Sequence, residues 1–428
     1  ATAYDRQKQV NSIYGNISIG YNDLLYLDAS IRRDWSSALT ADNNGYTYPS
    51  VGASFIFTEL WENNVLSFGK LRGGWAQVGD DVDALDLNPV YPLGSDLYDG
   101  RVLQYDRNRL LDPNIQPAMN TSYEVGADLK FLNNRIGFSA TYYNETRENE
   151  IIPITISSAT GYLDFLTNAG ESKREGVELT LDANIIQSDD FTWNLMANWA
   201  TNKSTIVSLP AGLDAINGAG GGDEWDFVNV VHRIGEEWGQ LRGTGFVYDS
   251  NGNRVVRENG TYEYETDKYL GSILPDFTGG VVNTFTYKNF SLQAAIDFQK
   301  GGNFFSLSEM WAGYSGLTAE TAAINDKGNN IRDAVDAGGG VHVVGVSPAG
   351  EEVDMYVDAV EYFSQFQGNT IAEPFIHDAS FVKLRDVSLS YDLTNVLKDG
   401  ILQNNLIKGA SIGVVGRNCK TIHVFDLP

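Results

Sequence analysis

Hydrophobic and polar residues alternate with period two along most of the chain. Between Ser122 and Phe131 the odd positions are apolar or aromatic, and the even positions are polar, small or charged. The same alternation recurs in 177–185, 191–199 and 290–298. Successive side chains of a β-strand point to opposite faces of the sheet, so this pattern predicts strands with one apolar and one polar face.

The alternation and the turn residues between its segments predict twelve strands. These strands cover 13–21, 24–34, 49–58, 65–78, 121–131, 136–148, 172–185, 191–205, 277–287, 290–299, 380–392 and 407–416. The connections after the odd-numbered strands are mostly short. The connections after the even-numbered strands are long and cover 35–48, 79–120, 149–171, 206–276 and 300–379. A membrane barrel requires this sorting, because its periplasmic turns are short and its extracellular loops are long.

Aromatic spacing favours the same architecture over a soluble β-sandwich. Trp193 and Trp199 share a face and lie ~20 Å apart at ~3.3 Å per residue. Phe290 and Phe298 lie ~26 Å apart on the same basis. These spans match aromatic girdles that bracket an apolar band ~25 Å tall. The alternative is that these aromatic residues fill a sandwich core, since aromatic residues favour strands in any case.

Composition limits the function classes. The chain has 428 residues, 56 Asp and Glu against 30 Lys and Arg, and a net charge of −26. This acidity argues against nucleic-acid binding, which needs a basic surface. The single Cys excludes a disulfide framework. No apolar run approaches the ~18–20 residues of a membrane-spanning helix. The N-terminus lacks signal-peptide features and enters a strand pattern almost at once, so we expect a part of a longer chain.

Candidate catalytic motifs are weak. Gly409–Gly413 matches G-x-S-x-G, but the pattern continues as a strand where a nucleophile elbow needs a following helix. The four His residues are widely spaced, and Cys419 has no evident partner. The glycine-rich stretch 218–222 lacks the Lys-Ser/Thr of a phosphate loop. We therefore predict no enzyme activity, no catalytic residue and no resident metal or other cofactor. The four His residues are His232, His342, His377 and His423.

Two acidic segments leave calcium binding in surface loops open. Asp249–Asn253 partly resembles a calcium loop but lacks its terminal Glu. An acidic run also lies in the second long connection, at Asp80, Asp81, Asp83 and Asp86. The alternative for both segments is a tight turn with solvated side chains.

The two longest connections contain structure of their own. Strand-like pieces are predicted near 240–248 and 260–264, and 317–337 is predicted as a short, glycine-punctuated helix. Aromatic residues in these loops either stack on sugar rings or pack the loops, so the substrate-binding residues stay unknown. They are Trp225, Trp238, Tyr262, Tyr264 and Trp311.

Several segments contain short motifs. Segment 32–37 reads R-R-D-W-S-S and is followed by Y-P-S at 48–50, and 71–79 reads L-R-G-G-W-A-Q-V-G. These segments resemble the R-x-D-x-S-S, F-P-S and L-R-x-S-x-G-x-x-G motifs of the SusC/RagA family of TonB-dependent outer-membrane transporters of Bacteroidetes-type bacteria, with Gly74 where Ser is usual. Further similar segments are 112–115, 142–143, 168–170, 174–179, 275–280, 287–290, 379–385 and 416–418. The resemblance runs from about Tyr14 to Asn418, and the tail 419–428 departs from it.

The resemblance implies the fold, the location and the partners. We expect an all-β, antiparallel up-and-down transmembrane barrel with long structured extracellular loops. Residues 1–428 would form its C-terminal part, with about 12 of ~22 strands, and the plug domain and N-terminal segments would lie outside this chain. The protein would import glycans or peptides across the outer membrane. A SusD-like surface lipoprotein would cover the barrel, and the TonB complex would act through the missing N-terminal part.

The direction of the strands adds an expectation about closure. Short turns after odd strands make the first strand run toward the periplasm and the last run outward. One upward strand must then precede residue 13 and one downward strand must follow residue 416. Residues 1–428 should therefore form an incomplete sheet with unpaired terminal strands. Two other function classes stay open at this point: a passive porin or surface adhesin barrel, and a secreted β-sandwich enzyme or carbohydrate-binding protein.

Overall fold

The computed structural model describes residues 6–61, 64–88, 91, 93–104, 108–210, 212–218, 227–366, 370–397 and 409–424. Two compact units make up the chain. The sheet unit comprises 1–216, 277–298 and 383–421, and the loop unit comprises 217–276, 299–382 and 422–428. In the described part of the chain, no helix has the length and apolar character to span a membrane.

A twelve-stranded sheet dominates the fold, and strands that are neighbours along the chain are neighbours in the sheet. Its strands are β1 Val10–Tyr21, β2 Leu25–Ser36, β3 Gly45–Ile56, β4 Leu66–Asp80, β5 Ala118–Phe131, β6 Ile136–Glu148, β7 Glu171–Gln187, β8 Phe191–Ser208, β9 Pro275–Tyr287, β10 Phe290–Gly301, β11 Phe381–Asp392 and β12 Ser411–Val424. The pairings from β1 to β9 are antiparallel. This is the up-and-down order that the sequence predicts.

All twelve predicted strands are confirmed, with ends displaced by a few residues. The largest displacement is in the last strand, which is predicted at 407–416 and lies at Ser411–Val424. Residues 401–408 lie outside the described residues. The first six residues of the divergent tail continue β12.

Strand register carries the two faces across the sheet without interruption. Cross-strand partners form one apolar row of Leu25, Phe55, Leu71, Ala127, Ala140, Leu179, Trp199 and Gly279. The adjacent row is largely polar and contains Tyr26, Ser54, Arg72, Gly126, Thr141, Glu178, Ala200 and Thr278. Large apolar side chains on the apolar face are exposed, as at Val125 with 64% and Ile13 with 65%. A soluble fold would bury such a face, whereas a membrane sheet turns it to lipid.

Aromatic side chains gather at two levels of the apolar face. Near the short turns, Trp193 stacks on Phe285 with 5.6 Å between ring centroids. Near the long connections, Trp199 contacts Phe277 at 6.1 Å, and Phe277 contacts Phe298 at 6.4 Å. The two levels correspond to the girdles that the aromatic spacing predicts.

Tight turns join the strands on one side of the sheet. Asn22 and Asp23 both have positive φ, 52° and 54°, as the hairpin turns that match strand twist require. The turn after β5 places Leu132, Asn133 and Asn134 in the same region. On the other side, the connections 81–117, 209–274 and 302–380 are long. The predicted sorting of short and long connections is therefore present except after β2, where the connection 37–44 is no longer than the connection 57–65 after β3.

The long connections contain their own secondary structure. Their strands are Leu93–Tyr98, Arg101–Gln104, Arg109–Leu111, Ile151–Thr155, Asp164–Asn168, Ala215–Asn217, Val228–Arg233, Gln240–Phe246, Tyr264–Ser272, Asn303–Phe305, Val341–Val346, Glu352–Val357 and Ile376–Asp378. Their α-helices are α1 Leu307–Tyr314 and α2 Ala359–Ser364, and their 3-10 helices are Ser158–Thr160, Ala319–Ala322, Val335–Ala337 and Glu373–Phe375. The connections after β3 and β11 contain the 3-10 helix Phe57–Leu60 and the α-helix α3 Thr394–Leu397.

Two predictions about the loops are wrong in detail. Residues 317–337 form two short 3-10 turns instead of a helix, because Gly316, Gly328 and Gly338 adopt positive φ and interrupt any helix there. The α-helix of this connection lies earlier, at Leu307–Tyr314. The piece predicted at 260–264 is mostly irregular, with an isolated antiparallel bridge between Tyr262 and Val256, and the strand begins at Tyr264.

Candidate functional site

Charged and polar side chains form a connected network on the polar face of the sheet. Arg72 on β4 donates to Thr141 Oγ1 at 2.5 Å and lies 3.6 Å from the carboxylate of Asp128. Asp128 also accepts from Ser139 at 2.7 Å and pairs with Lys70 at 3.1 Å. These residues come from three neighbouring strands, so the network is a product of the register. A polar interior of this kind suits contact with water, solute or another protein segment.

The R-x-D segment of β2 forms a second cluster on the same face. A spacing of two residues puts Arg32 and Asp34 on one side of the strand, and Arg32 Nε donates to Asp34 Oδ1 at 2.8 Å. Tyr48 on β3 also donates to Asp34, and Ser12 on β1 accepts from Arg32 at 3.0 Å. Asp34 is only 4% exposed, and these partners satisfy its buried carboxylate. The motif thus has a structural role that joins three strands.

A cavity of about 180 Å³ lies where β4 ends and β5 begins. Asp80 and Asp81 of the predicted acidic run line it, together with Asn120. Asn120 donates to Glu145 Oε1 at 2.7 Å, and Lys8 pairs with Asp81. Within the acidic run, Asp81 therefore forms an ion pair with Lys8, which favours a structural role for Asp81.

The loop aromatic residues mostly pack a hydrophobic core within the loop unit. Tyr262 is 5% exposed in that core, and Tyr264 and Trp311 pack against it. Trp238 is 38% exposed, and its ring stacks on His232 at 4.9 Å between centroids. Trp225 lies outside the described residues. Of the five candidates for sugar stacking, one is thus a core residue and two pack against the core, and the substrate-binding residues stay unassigned.

The histidines serve local contacts. His377 lies 2.5 Å from a carboxylate oxygen of Glu309. His342 has one carboxylate at each ring nitrogen, Asp326 at 3.2 Å and Asp354 at 2.9 Å. The side chain of His423 lies outside the described residues. Among the described side chains, no three His, Cys, Asp or Glu converge as a metal site would need.

The segment Asp249–Asn253 is a tight turn. Asp249 Oδ1 accepts from the backbone amides of Asn251 and Asn253, each at 2.8 Å, and Oδ2 accepts from the Asn253 side chain at 3.1 Å. These hydrogen bonds, led by that from the Asn253 backbone, hold the pKa of Asp249 below its usual range. Both carboxylate oxygens accept hydrogen bonds within the turn. Calcium binding at this segment stays a prediction from the sequence.

The other motifs take structural positions. Ser411 and Gly413 of the G-x-S-x-G match belong to β12, and the strand continues to Val424. Cys419 is an exposed free thiol on the same strand. Of the glycine-rich stretch, only Gly218 is described.

Comparison with known proteins gives a consistent result. The model of the family "TonB dependent receptor-like, beta-barrel" matches residues 1–396. The chain is 26% identical to the TonB-dependent receptor SusC of Bacteroides thetaiotaomicron, over 93% of this chain and 39% of SusC. It is 24% identical to the TonB-dependent receptor P3 of Formosa agariphila, over 92% of this chain and 39% of P3.

Solved structures give the same fold. A structure of the RagAB peptide transporter superposes with a TM-score of 0.75 at 19% identity, over 97% of this chain and 44% of that one. The chain spans about two fifths of the length of the curated relatives that it matches. The twelve-stranded sheet, its exposed apolar face and these matches agree. Residues 1–428 belong to the TonB-dependent receptor-like β-barrel family, whose SusC/RagA-type members are outer-membrane proteins that cross the bilayer with strands.

Proposed function

We propose that the protein imports large solutes, glycans or peptides, across the outer membrane with energy supplied through TonB. The observation that carries this proposal is the family match over residues 1–396, combined with a sheet whose apolar face is exposed and whose polar face is internally paired. Residues 1–428 would be the C-terminal part of the barrel. The plug domain and the segment that contacts TonB would belong to other parts of the protein.

Solute depletion tests the import proposal. Cells with the intact gene and cells with the disrupted gene would be given one mixture of oligosaccharides and peptides, and the medium would be followed by mass spectrometry. We expect one class of solute to disappear only with the intact gene. Equal depletion of every solute by both strains would contradict the proposal.

We further propose a SusD-like surface lipoprotein as partner, docked mainly on the connection 302–380. Support comes from the size of this connection, from the hydrophobic core that it shares with the connection 209–274, and from its exposed apolar side chains at Leu317, Ile324 and Val360. Deletion of most of the connection should abolish co-purification of the lipoprotein. The barrel should still assemble, as heat-modifiable migration in electrophoresis would show. Retained co-purification would place the partner elsewhere.

A further inference from the structure

The loop unit contains a cavity of about 520 Å³ beside helices α1 and α2. Tyr314, Val360 and Phe363 supply an aromatic and aliphatic wall, and Arg332 and Asp358 supply charge. Val360 is 79% exposed, so the wall is open to solvent. An apolar wall with a few fixed polar groups is the usual composition of a ligand site.

Arg332 is held in place by neutral oxygens. Its Nε donates to the carbonyl of Thr321 at 2.6 Å, and its Nη2 donates to the carbonyl of Gly316 at 2.9 Å and to Thr321 Oγ1 at 2.8 Å. Thr321 is almost fully buried, which fixes one side of the guanidinium. An arginine carries five N–H donors, so those on Nη1 remain for a ligand.

Arg332 is one of few cations in its part of the loop unit. The segment 299–382 has three Lys and Arg residues. Lys300 pairs with Asp378 at 3.3 Å, and Lys327 lies 3.2 Å from the ring centroid of Tyr356. Within the described residues, no carboxylate lies within ion-pair distance of Arg332, despite the excess of acidic residues. A positioned guanidinium without an acidic partner is suited to bind the carboxylate of a ligand.

Among the described residues that line the cavity, Asp358 is the one carboxylate. Its Oδ1 accepts from the backbone amides of Val360 at 2.8 Å and Glu361 at 3.4 Å, because Asp358 is the N-cap of α2. Its Oδ2 can accept a further N–H. The cavity therefore combines N–H donors of Arg332 for a ligand carboxylate, an oxygen of Asp358 that can accept a ligand N–H, and an apolar wall.

We propose that this cavity binds the C-terminal end of a peptide with an apolar last side chain. The terminal carboxylate pairs with Arg332, an amide N–H donates to Asp358, and the side chain packs on Tyr314, Val360 and Phe363. A free peptide in transit and a peptide tail of a partner offer the same chemistry. That the peptide is cargo rests on the proposed import function, whereas the binding site itself does not.

Binding of small probes to the purified protein in detergent tests the site. N-acetylphenylalanine carries the carboxylate, and N-acetylphenylalaninamide is its neutral match. Calorimetry should give about tenfold tighter binding of the carboxylate, as a charge-assisted hydrogen bond implies. Equal affinity for the two probes, or binding of neither, would overturn the assignment.

Variants connect the preference to Arg332. R332Q should reduce the ratio of the two affinities to within about twofold. R257Q removes one positive charge elsewhere in the unit, where Arg257 lies over the ring of Tyr264, and should keep the tenfold ratio. Since R332Q also removes the bonds to Gly316 and Thr321, V360D provides a second test. It leaves those bonds in place, and its new carboxylate should abolish the preference.

Unchanged preference in both R332Q and V360D would overturn the proposal. Uptake assays separate its failure from failure of import. Probe preference without peptide uptake would leave the site standing and make a partner's tail its occupant. Peptide uptake that R332Q and V360D leave unchanged, together with no probe preference, would leave import standing and remove the site.

Discussion

Gly176 lies on the polar face of β7, at a place where the neighbouring strands leave no room for a side chain. A Cβ there would be 2.2 Å from the carbonyl oxygen of Thr201 and 2.5 Å from the hydroxyl of Tyr143. Backbone cannot yield as a flexible side chain can, so we expect G176A to destabilise the sheet by about 1–3 kcal/mol. Folding in detergent, followed by urea titration, measures the change.

Gly74 provides the matched control, because it lies in the same sheet with open space around it. The nearest atom to its Cβ would be the carbonyl oxygen of Val51 at 3.8 Å, an ordinary contact. G74A should therefore leave the urea midpoint nearly unchanged. If G176A and G74A changed the urea midpoint equally, close contact between strands would not explain why residue 176 is a glycine.

Leu195 and Asn194 are adjacent residues of β8 that point to opposite faces of the sheet. We expect L195R to impair membrane assembly, because a charge on the lipid face near mid-strand costs about 2–4 kcal/mol. N194R places the same charge on the polar face and should be mild. The assembled fraction, measured by heat-modifiable electrophoresis, compares the two. Equal defects would mean that the polar face does not line an aqueous or protein-filled interior.

At this scale the sequence predicts which face a residue occupies but not its partners. Period two places Arg32, Asp34 and Arg72 on the polar face correctly. Their pairing with Tyr48, Asp128 and Thr141 depends on register between strands distant in sequence. The loop aromatic residues show the same limit, because aromatic side chains in a core and on a surface look alike in sequence.

At the scale of elements, the connection 302–380 is stabilised by a hydrophobic core that it shares with the connection 209–274. Met310 on α1 is fully buried there, whereas Leu317 is 79% exposed. M310A should destabilise the packing by about 2–5 kcal/mol, as large-to-small core changes do. Proteolysis of intact cells should then cut within 300–379 faster than in the wild type.

L317A is the control, and it should leave the cleavage rate near that of the wild type. The short turns 132–135 and 188–190 should resist surface protease in all variants, since they belong to the opposite side of the sheet. Cleavage confined to the short turns would reverse the proposed orientation. Equal rates for M310A and L317A would mean that the core does not protect the connection.

Elements with strong alternation are predictable, and irregular ones are not. The twelve strands follow from period two and from turn residues such as Asn22 and Asp23. The sequence of 317–337 predicts a helix because its alanines and charged residues favour helix. In the structure, glycines at positive φ and hydrogen bonds of the Asn325 side chain stabilise turns instead. Tertiary contacts decide the conformation of such segments, and these contacts leave no periodic pattern of hydrophobic residues in the sequence.

At the scale of the whole molecule, β1 and β12 are the two terminal strands of the sheet, each with one neighbour in the sheet order of the described residues. The strand directions inferred from the sequence predict such an open sheet for residues 1–428. Unpaired strand edges are costly in lipid, because each unsatisfied backbone group costs several kcal/mol. We therefore expect the sheet to be completed by other strands in the membrane.

The central claim is that the protein moves solute with energy from TonB, which separates it from a passive pore. The direct measurement is uptake of the solute that depletion identifies, in cells with and without a protonophore that collapses the inner-membrane gradient. We predict that the protonophore abolishes uptake to the level of the gene-disrupted strain while surface binding persists. Uptake that requires the gene but continues unchanged with the protonophore would contradict the account.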